Sequence, residues 1–142
     1  MSDGFLIVNK VGGLTSHDVV AKARKKLQTK KIGHAGTLDP MATGVLVLGV
    51  GIGTRLLNYI VEGRKSYEGT IRLGACTTTD DKEGEVLNTF DTSSIADEAI
   101  TAELNKFVGN IMQKPTSVSA IKIDGKSAHE RVRAGEEVDI PA

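Results

Sequence analysis

Aromatic residues make up only 4% of the 142-residue sequence, with no tryptophan, and the chain holds one cysteine and three histidines. So few rings mean that any core is built mainly from Val, Ile, Leu and Ala. The single Cys76 has no partner for an internal disulfide, and with no second cysteine the scattered histidines give no metal-ligand spacing. Cys76 reads instead as a small core hydrophobe. No apolar run approaches the ~20 residues that span a bilayer, and the opening MSDGFLIVNK has neither a basic n-region nor a small-residue cleavage site. The expectation is a cytoplasmic protein with no membrane partner. What is present is 39% hydrophobic residues, enough at this length for one compact domain with its own core.

Net charge is also lacking, at zero, but the balance hides a split. Residues 1–78 hold 11 Lys and Arg against 5 Asp and Glu, whereas residues 79–142 hold 7 against 13. Six of the basic residues, Lys22, Arg24, Lys25, Lys26, Lys30 and Lys31, fall within ten positions. Such a cluster is either a solvated helix face or a surface that meets phosphates.

Hydrophobic patterning predicts alternating elements. Phe5 to Val8 reads as a short buried strand ended by Gly12-Gly13. Thr15-Ser16-His17-Asp18 offers a capping box, opening a helix whose Val19, Val20, Ala23 and Leu27 share a face. Gly44 to Val50 is a continuous aliphatic strand, and Thr54 is placed to cap a helix with Leu56, Leu57, Ile60 and Val61 inward and Gly63 past its end. Ser66 to Leu73 alternates as a half-buried strand should, with Tyr67, Ile71 and Leu73 on one side. Thr77 to Glu85 reads as a polar turn that lacks the ligand spacing of a calcium loop. Ser94 is expected to cap a helix carrying Ile100, Leu104, Phe107 and Val108, stopped by Gly109. Ser119 to Ile123 reads as a strand, Lys126 as a turn residue, and Ser127 to Glu130 as a second capping box before a short helix ended by Gly135. Glu137 to Ile140 alternates as a final strand with no partner after it, so the domain looks interrupted.

Two motifs compete around residues 33–61. Gly49-Val50-Gly51-Ile52-Gly53 could let backbone amides approach a pyrophosphate, but the third position of the dinucleotide fingerprint falls on Thr54 instead of Gly or Ala. The other centre is Asp39 in Leu38-Asp39-Pro40. Taken alone this is a common turn initiator. Its setting points further: Gly33 and Gly36 allow bends around it, Pro40 stiffens the far side, and the aliphatic strand suggests a partly dry surrounding. An immobilised, partly desolvated carboxylate suits a covalent nucleophile or a general base. His34 is either a loop-ordering residue or an RNA contact.

The ungapped run from Gly33 to Leu46, GHAGTLDPMATGVL, resembles the signature of the bacterial tRNA pseudouridine-55 synthases of the TruB type. Likeness extends along the chain. Lys10 and Gly13 to Ser16 resemble the family's Lys-Pro-x-Gly-x-Thr-Ser, Lys65-Ser66-Tyr67 its Lys-x-Tyr strand, Thr79 to Gly84 its Thr-x-Asp loop, and Pro115 to Lys122 its Ser-Ala-x-Lys segment. Val11 departs from the usual Pro, and His129 stands where a Tyr is common. The resemblance implies an α/β fold of the α+β type, with a mixed, largely antiparallel sheet and flanking helices. Its implied activity is isomerisation of uridine 55 in the T-arm loop of tRNA, with no cofactor and no metal. Asp39 would then be the nucleophile, Tyr67 the ring that stacks on the flipped base, and His34 and Lys65 substrate-binding residues. Lys22, Arg24, Lys25, Lys26, Lys30 and Lys31 would face RNA phosphates. The family's Tyr-x-Arg segment matches none of Arg55, Arg64, Arg72, Arg131 and Arg133. Residues 1–142 therefore resemble the N-terminal part of the catalytic domain, without the C-terminal RNA-binding domain. The alternative is a truncated RNA-binding module without turnover.

Overall fold

The computed structural model describes residues 3–116, 119, 121–136, 138 and 140. The chain divides into two compact units, residues 1–68 and 69–142. All strand pairing is antiparallel, so the chain is a mixed α/β protein of antiparallel sheets.

In the first unit β1 (Gly4–Lys10), α1 (Ser16–Leu27), β2 (Ile32–Ala35) and β3 (Gly44–Val50) build a three-stranded sheet in the order β1-β3-β2. The aliphatic run of β3 makes it the central strand, paired on both edges. Its register sets Leu46 opposite Val8, Leu48 opposite Leu6 and His34, and Val50 opposite Ile32. Because side chains alternate along a strand, Leu46, Leu48 and Val50 share one face. They are buried there with Ile32 and with Val19 and Val20 of α1. The helix starts where expected. Thr15 accepts from the Asp18 amide while the Asp18 carboxylate accepts from the Thr15 amide, which satisfies donors that a helix start leaves open. Gln28, in the left-handed region, ends it.

After β3 the chain enters a 3-10 turn, Gly51–Leu56, and then α2 (Leu57–Val61). The glycines here serve a close crossing. A Cβ on Gly49 would lie 2.8 Å from the Gly53 carbonyl oxygen, and one on Gly53 would collide with the Gly4 carbonyl. The Ile52 amide already donates to Asp3 Oδ1 at 2.7 Å, so a carboxylate of the chain itself occupies the place where a pyrophosphate reading would put its anion.

In the second unit β4 (Ala75–Thr77) pairs with β5 (Val86–Thr89), followed by α3 (Asp97–Asn105), β6 (Lys122–Ile123), β7 (Lys126–Ser127) and α4 (Ala128–Arg133). The loop between β4 and β5 is the polar turn expected and holds itself: Thr79 Oγ1 donates to Asp81 Oδ1 at 2.6 Å, the Glu83 amide to the same oxygen at 2.8 Å, and Thr77 Oγ1 to the Asp81 carbonyl at 2.7 Å. The Thr79 hydroxyl, and then the Glu83 amide, hold the Asp81 carboxyl below its ordinary range.

Several expectations are corrected. Phe5, Leu6 and Ile7 are all exposed, and of the expected buried strand only Val8 packs, partly buried, against the core cluster. Ser66 to Leu73 forms no strand, and Tyr67 is 74% exposed. Alternation supplies faces but not a neighbouring backbone to bond, and none of the described residues supplies one. Cys76 is exposed because β4 belongs to a two-stranded hairpin without a covering layer. Thr54 does not cap a helix; its hydroxyl donates back to the Gly51 carbonyl within the 3-10 turn, and only Leu57 of the expected inward set is buried. Ala96, not Ser94, begins α3, and the helix stops before Phe107 and Val108, which are exposed. Lys126 lies in β7, with Asp124-Gly125 making the turn, and the strand expected from Ser119 shortens to Lys122–Ile123. The second capping box and the alternation at Glu137 to Ile140 rest partly outside the described residues.

Candidate nucleotide site at the β2–β3 loop

The loop from Gly36 to Thr43 is fastened on both sides of Asp39. On the near side Leu38 is clamped by Ser16, a nearly fully buried residue of α1. Leu38 N–H donates to Ser16 Oγ at 2.9 Å, and the same hydroxyl donates to the Leu38 carbonyl at 3.2 Å. On the far side the Pro40 carbonyl accepts from the Gly13 amide at 2.8 Å and from the Lys10 ammonium at 3.2 Å. Lys10 is only 1% exposed, at the end of β1, and its ammonium also donates to the carbonyls of Leu14 at 2.7 Å and Val11 at 3.3 Å. Burying an ammonium is costly unless its donors are met, and three carbonyls meet them here. The Ala42 amide closes a turn on the Asp39 carbonyl at 3.0 Å.

Asp39 itself is exposed, and its carboxylate makes no hydrogen bond or ion pair with the described residues. The partly dry surrounding expected for it is absent. Strand β3 begins five residues later, and the face of β3 that is covered packs against α1 instead of Asp39. Immobilisation therefore comes from the backbone on either side, and the carboxylate stays free for a ligand.

His34, near the end of β2, is half-buried, with Nδ1 2.7 Å from the Gly36 carbonyl. A carbonyl only accepts, so Nδ1 carries the hydrogen. Gly36 has a φ of +87°, a conformation that a side chain would strain, and this bends the chain so that its carbonyl meets the ring. Lys65 reaches the same turn. Its Cε lies 3.8 Å from where a Gly36 Cβ would be, while its ammonium donates to the carbonyls of Val61 and Gly63 at the end of α2. Gly36, three residues before Asp39, thus has both His34 and Lys65 beside it. Tyr67, 74% exposed, makes no hydrogen bond or ring contact with them.

The six basic residues at positions 22–31 are all exposed. Arg24 also has a structural task, since its guanidinium donates to the Ile32 carbonyl at 2.7 Å and ties α1 to β2. In the second unit Arg131 is engaged with Glu136 at 2.7 Å and Asp124 at 3.5 Å and donates to the Ile123 carbonyl. Among the described residues no group of three or more His, Cys, Asp or Glu could hold a metal ion, and no helix is long and apolar enough to cross a membrane. The clamping roles of Lys10 and Ser16 were not legible beyond the motif that contains them. The one available signal was a lysine ending an apolar strand just before Gly12-Gly13.

The Asp39 carboxylate is thus presented on a backbone-clamped loop, with His34 and Lys65 at the Gly36 turn of the same loop. Comparison with known proteins sharpens this. The family model described as TruB family pseudouridylate synthase (N terminal domain) matches residues 24–142. A protein of Corynebacterium glutamicum named tRNA pseudouridine synthase B is 64% identical over 139 residues, covering 98% of this chain and 47% of its own length. Proteins of the same name from Corynebacterium efficiens and Streptomyces griseus are 61% and 56% identical, over 99% of this chain each and 48% and 47% of theirs. A chain from the structure of an H/ACA RNP bound to a substrate RNA containing 2'-deoxyuridine aligns over 39% of this chain and 18% of its own, with 43% identity and a TM-score of 0.39. That likeness is too partial to bear on the fold. The chain belongs to the TruB family of pseudouridylate synthases, by its N-terminal domain. It spans about half the length of the curated relatives it matches.

Proposed function

We propose that this chain is the N-terminal part of the catalytic domain of a cytoplasmic tRNA pseudouridine synthase, acting on uridine 55 of the T-arm loop with Asp39 as nucleophile. The observation that carries the reading is the double clamp. Ser16 holds Leu38, Lys10 and Gly13 hold Pro40, and the carboxylate between them is exposed and unpaired among the described residues. That is how a nucleophile is kept in place without being consumed by an internal partner.

The isomerisation breaks the N1–C1′ bond of uridine and forms a C5–C1′ bond. The proton on C5 is lost and N1 gains one, so the atoms balance with no oxidant or leaving group. No cofactor is called for. A carboxylate can attack C1′ of the ribose or C6 of the base, and both routes lead to the same product. A stacked uracil cannot reach Asp39, so it is flipped out, at a cost of a few kcal/mol. Tyr67, exposed, supplies a flat surface for such a base, as aromatic rings do for unstacked bases in RNA recognition. His34 and Lys65, at the Gly36 turn, meet the same nucleotide. The exposed lysines between positions 22 and 31 and Arg24 meet backbone phosphates, which supply most of the affinity and little of the specificity.

One observation favours the second reading, an RNA-binding module without turnover: none of the described guanidinium groups contacts Asp39. A single experiment separates the two. In the full natural reading frame containing this chain, Asp39→Asn should lower pseudouridine formation by about a thousandfold or more, while tRNA affinity stays within about twofold. Retained turnover in that variant removes Asp39 from the chemistry. A wild-type protein that binds tRNA and never converts uridine supports the module.

A further inference from the structure

Residue His17 stands outside everything assigned so far. It lies in the first turn of α1, exposed, and its ring meets that of His34 edge to face, with centroids 5.2 Å apart and planes at 82°. Both values fall in the range that aromatic rings prefer when they pair. The residue before it, Ser16, is the one that clamps Leu38. Two consecutive residues at one helix start therefore grip the two flanks of the Asp39 loop, Ser16 through the backbone of Leu38 and His17 through the ring of His34.

The ring of His34 has one further fixed point, the bond from Nδ1 to the Gly36 carbonyl. One hydrogen bond still lets an imidazole swing about it. An edge-to-face neighbour removes that freedom, because a swing would drive the His34 ring into His17. Together the two contacts leave Nε2 as the ring nitrogen of His34 without a hydrogen-bond partner among the described residues. We infer that His17 is a positioning residue: it fixes the tautomer and rotation of His34 so that Nε2 is presented to the RNA. This rests on the reading of His34 as a substrate-binding residue. His17 touches no reacting atom in this account, and its effect passes through His34.

Two measurements test it. The first does not need activity. Long-range nitrogen–proton NMR correlations of the histidine side chains, in the full natural reading frame, should show His34 as the Nδ1–H tautomer. His17→Ala should mix the tautomers, and His17→Phe, which keeps the ring but not the nitrogens, should restore the single form. An unchanged His34 spectrum in His17→Ala overturns the inference whatever the substrate is. The second is a double-mutant cycle on tRNA modification. His17→Ala should raise KM about threefold to tenfold with little change in kcat, and His17→Phe should recover most of it. In a His34→Ala background, removing His17 should add nothing. Additive losses would mean that His17 touches RNA itself and would overturn the positioning role. A protein inactive on tRNA but with the expected tautomer pattern would refute the proposed reaction and leave the pairing standing.

Discussion

The two units of the chain bury their apolar residues very differently. In residues 1–68, Val19, Val20, Ile32, Leu46, Leu48, Val50 and Leu57 are buried, and the first six form one cluster between α1 and the sheet. In residues 69–142, only Ala128 and Ile140 are buried among the described hydrophobic residues, while Val86, Leu87, Phe90, Phe107, Val108 and Met112 are exposed. Both have strands and helices of the expected type. Among the described residues the buried cluster between a helix and a sheet lies in the first, and the candidate site is built there. The candidate loop is held where a core already exists: the residues that clamp it, Lys10 and Ser16, are themselves buried.

The strongest way to break this comparison is to cut into each unit. Leu48→Ala, at a fully buried position, should cost about 3 kcal/mol in a denaturant titration, whereas Phe107→Ala should change stability by less than about 0.5 kcal/mol. Equal effects would mean that the second unit is held as firmly as the first. Backbone amide exchange should agree, with β3 slower than β4 and β5.

Next in size is the ammonium under the loop. Lys10→Met keeps most of the volume but leaves the carbonyls of Val11, Leu14 and Pro40 without its three bonds. A loss of about 2 kcal/mol is expected, with a larger fall in turnover than in tRNA affinity, because the Asp39 backbone loosens while the phosphate-facing surface is untouched.

A smaller effect should follow from the cap of α1. Thr15→Ala should cost about 1 kcal/mol at neutral pH. The Thr15 hydroxyl, and then its amide, hold the Asp18 carboxyl below its ordinary range. A carboxyl with a depressed folded value contributes stability that is present above its unfolded value, about 3.9, and lost as pH falls through the folded one. The advantage of wild type over Thr15→Ala should therefore be complete at pH 7 and shrink below about pH 4, as acid unfolding curves can show.

The smallest change in stability, yet a visible one in binding, concerns the basic cluster. Neutralising Lys25 and Lys26 should flatten the salt dependence of tRNA binding by about 0.7–0.9 log units per lost phosphate contact, without altering which uridine is modified. Arg24→Gln should do this and also destabilise the fold, since its bond to the Ile32 carbonyl is lost. An unchanged slope would return the cluster to an ordinary solvated helix face.

Much of the first unit was legible in advance because its signals are local. The capping box from Thr15 to Asp18 involves residues three apart, the helical face of α1 repeats within two turns, and the aliphatic run of β3 matched Gly44–Val50 at both ends. The Gly33–Leu46 run likewise marked the family before any coordinates, in agreement with the match over residues 24–142. Reading failed where a segment depended on what lies beside it. Strand β2 was missed because Ile32–Ala35 has four residues and a glycine at its second position, and it becomes a strand by pairing with β3. Ser66 to Leu73 had the right period and no partner among the described residues.

What the sequence by itself determined is thus the family, the start of α1, the aliphatic strand Gly44–Val50 and the place of Asp39 in the chain. Tertiary structure alone decided that Lys10 is buried 30 residues away from the Pro40 carbonyl it holds, that Ser16 closes on Leu38 across 22 residues, and that His17 meets His34. The physical reason is range. Caps and periodicity act within a few residues of themselves, whereas a buried ammonium or a clamped carbonyl exists only after the sheet has brought distant segments within about 3 Å of one another.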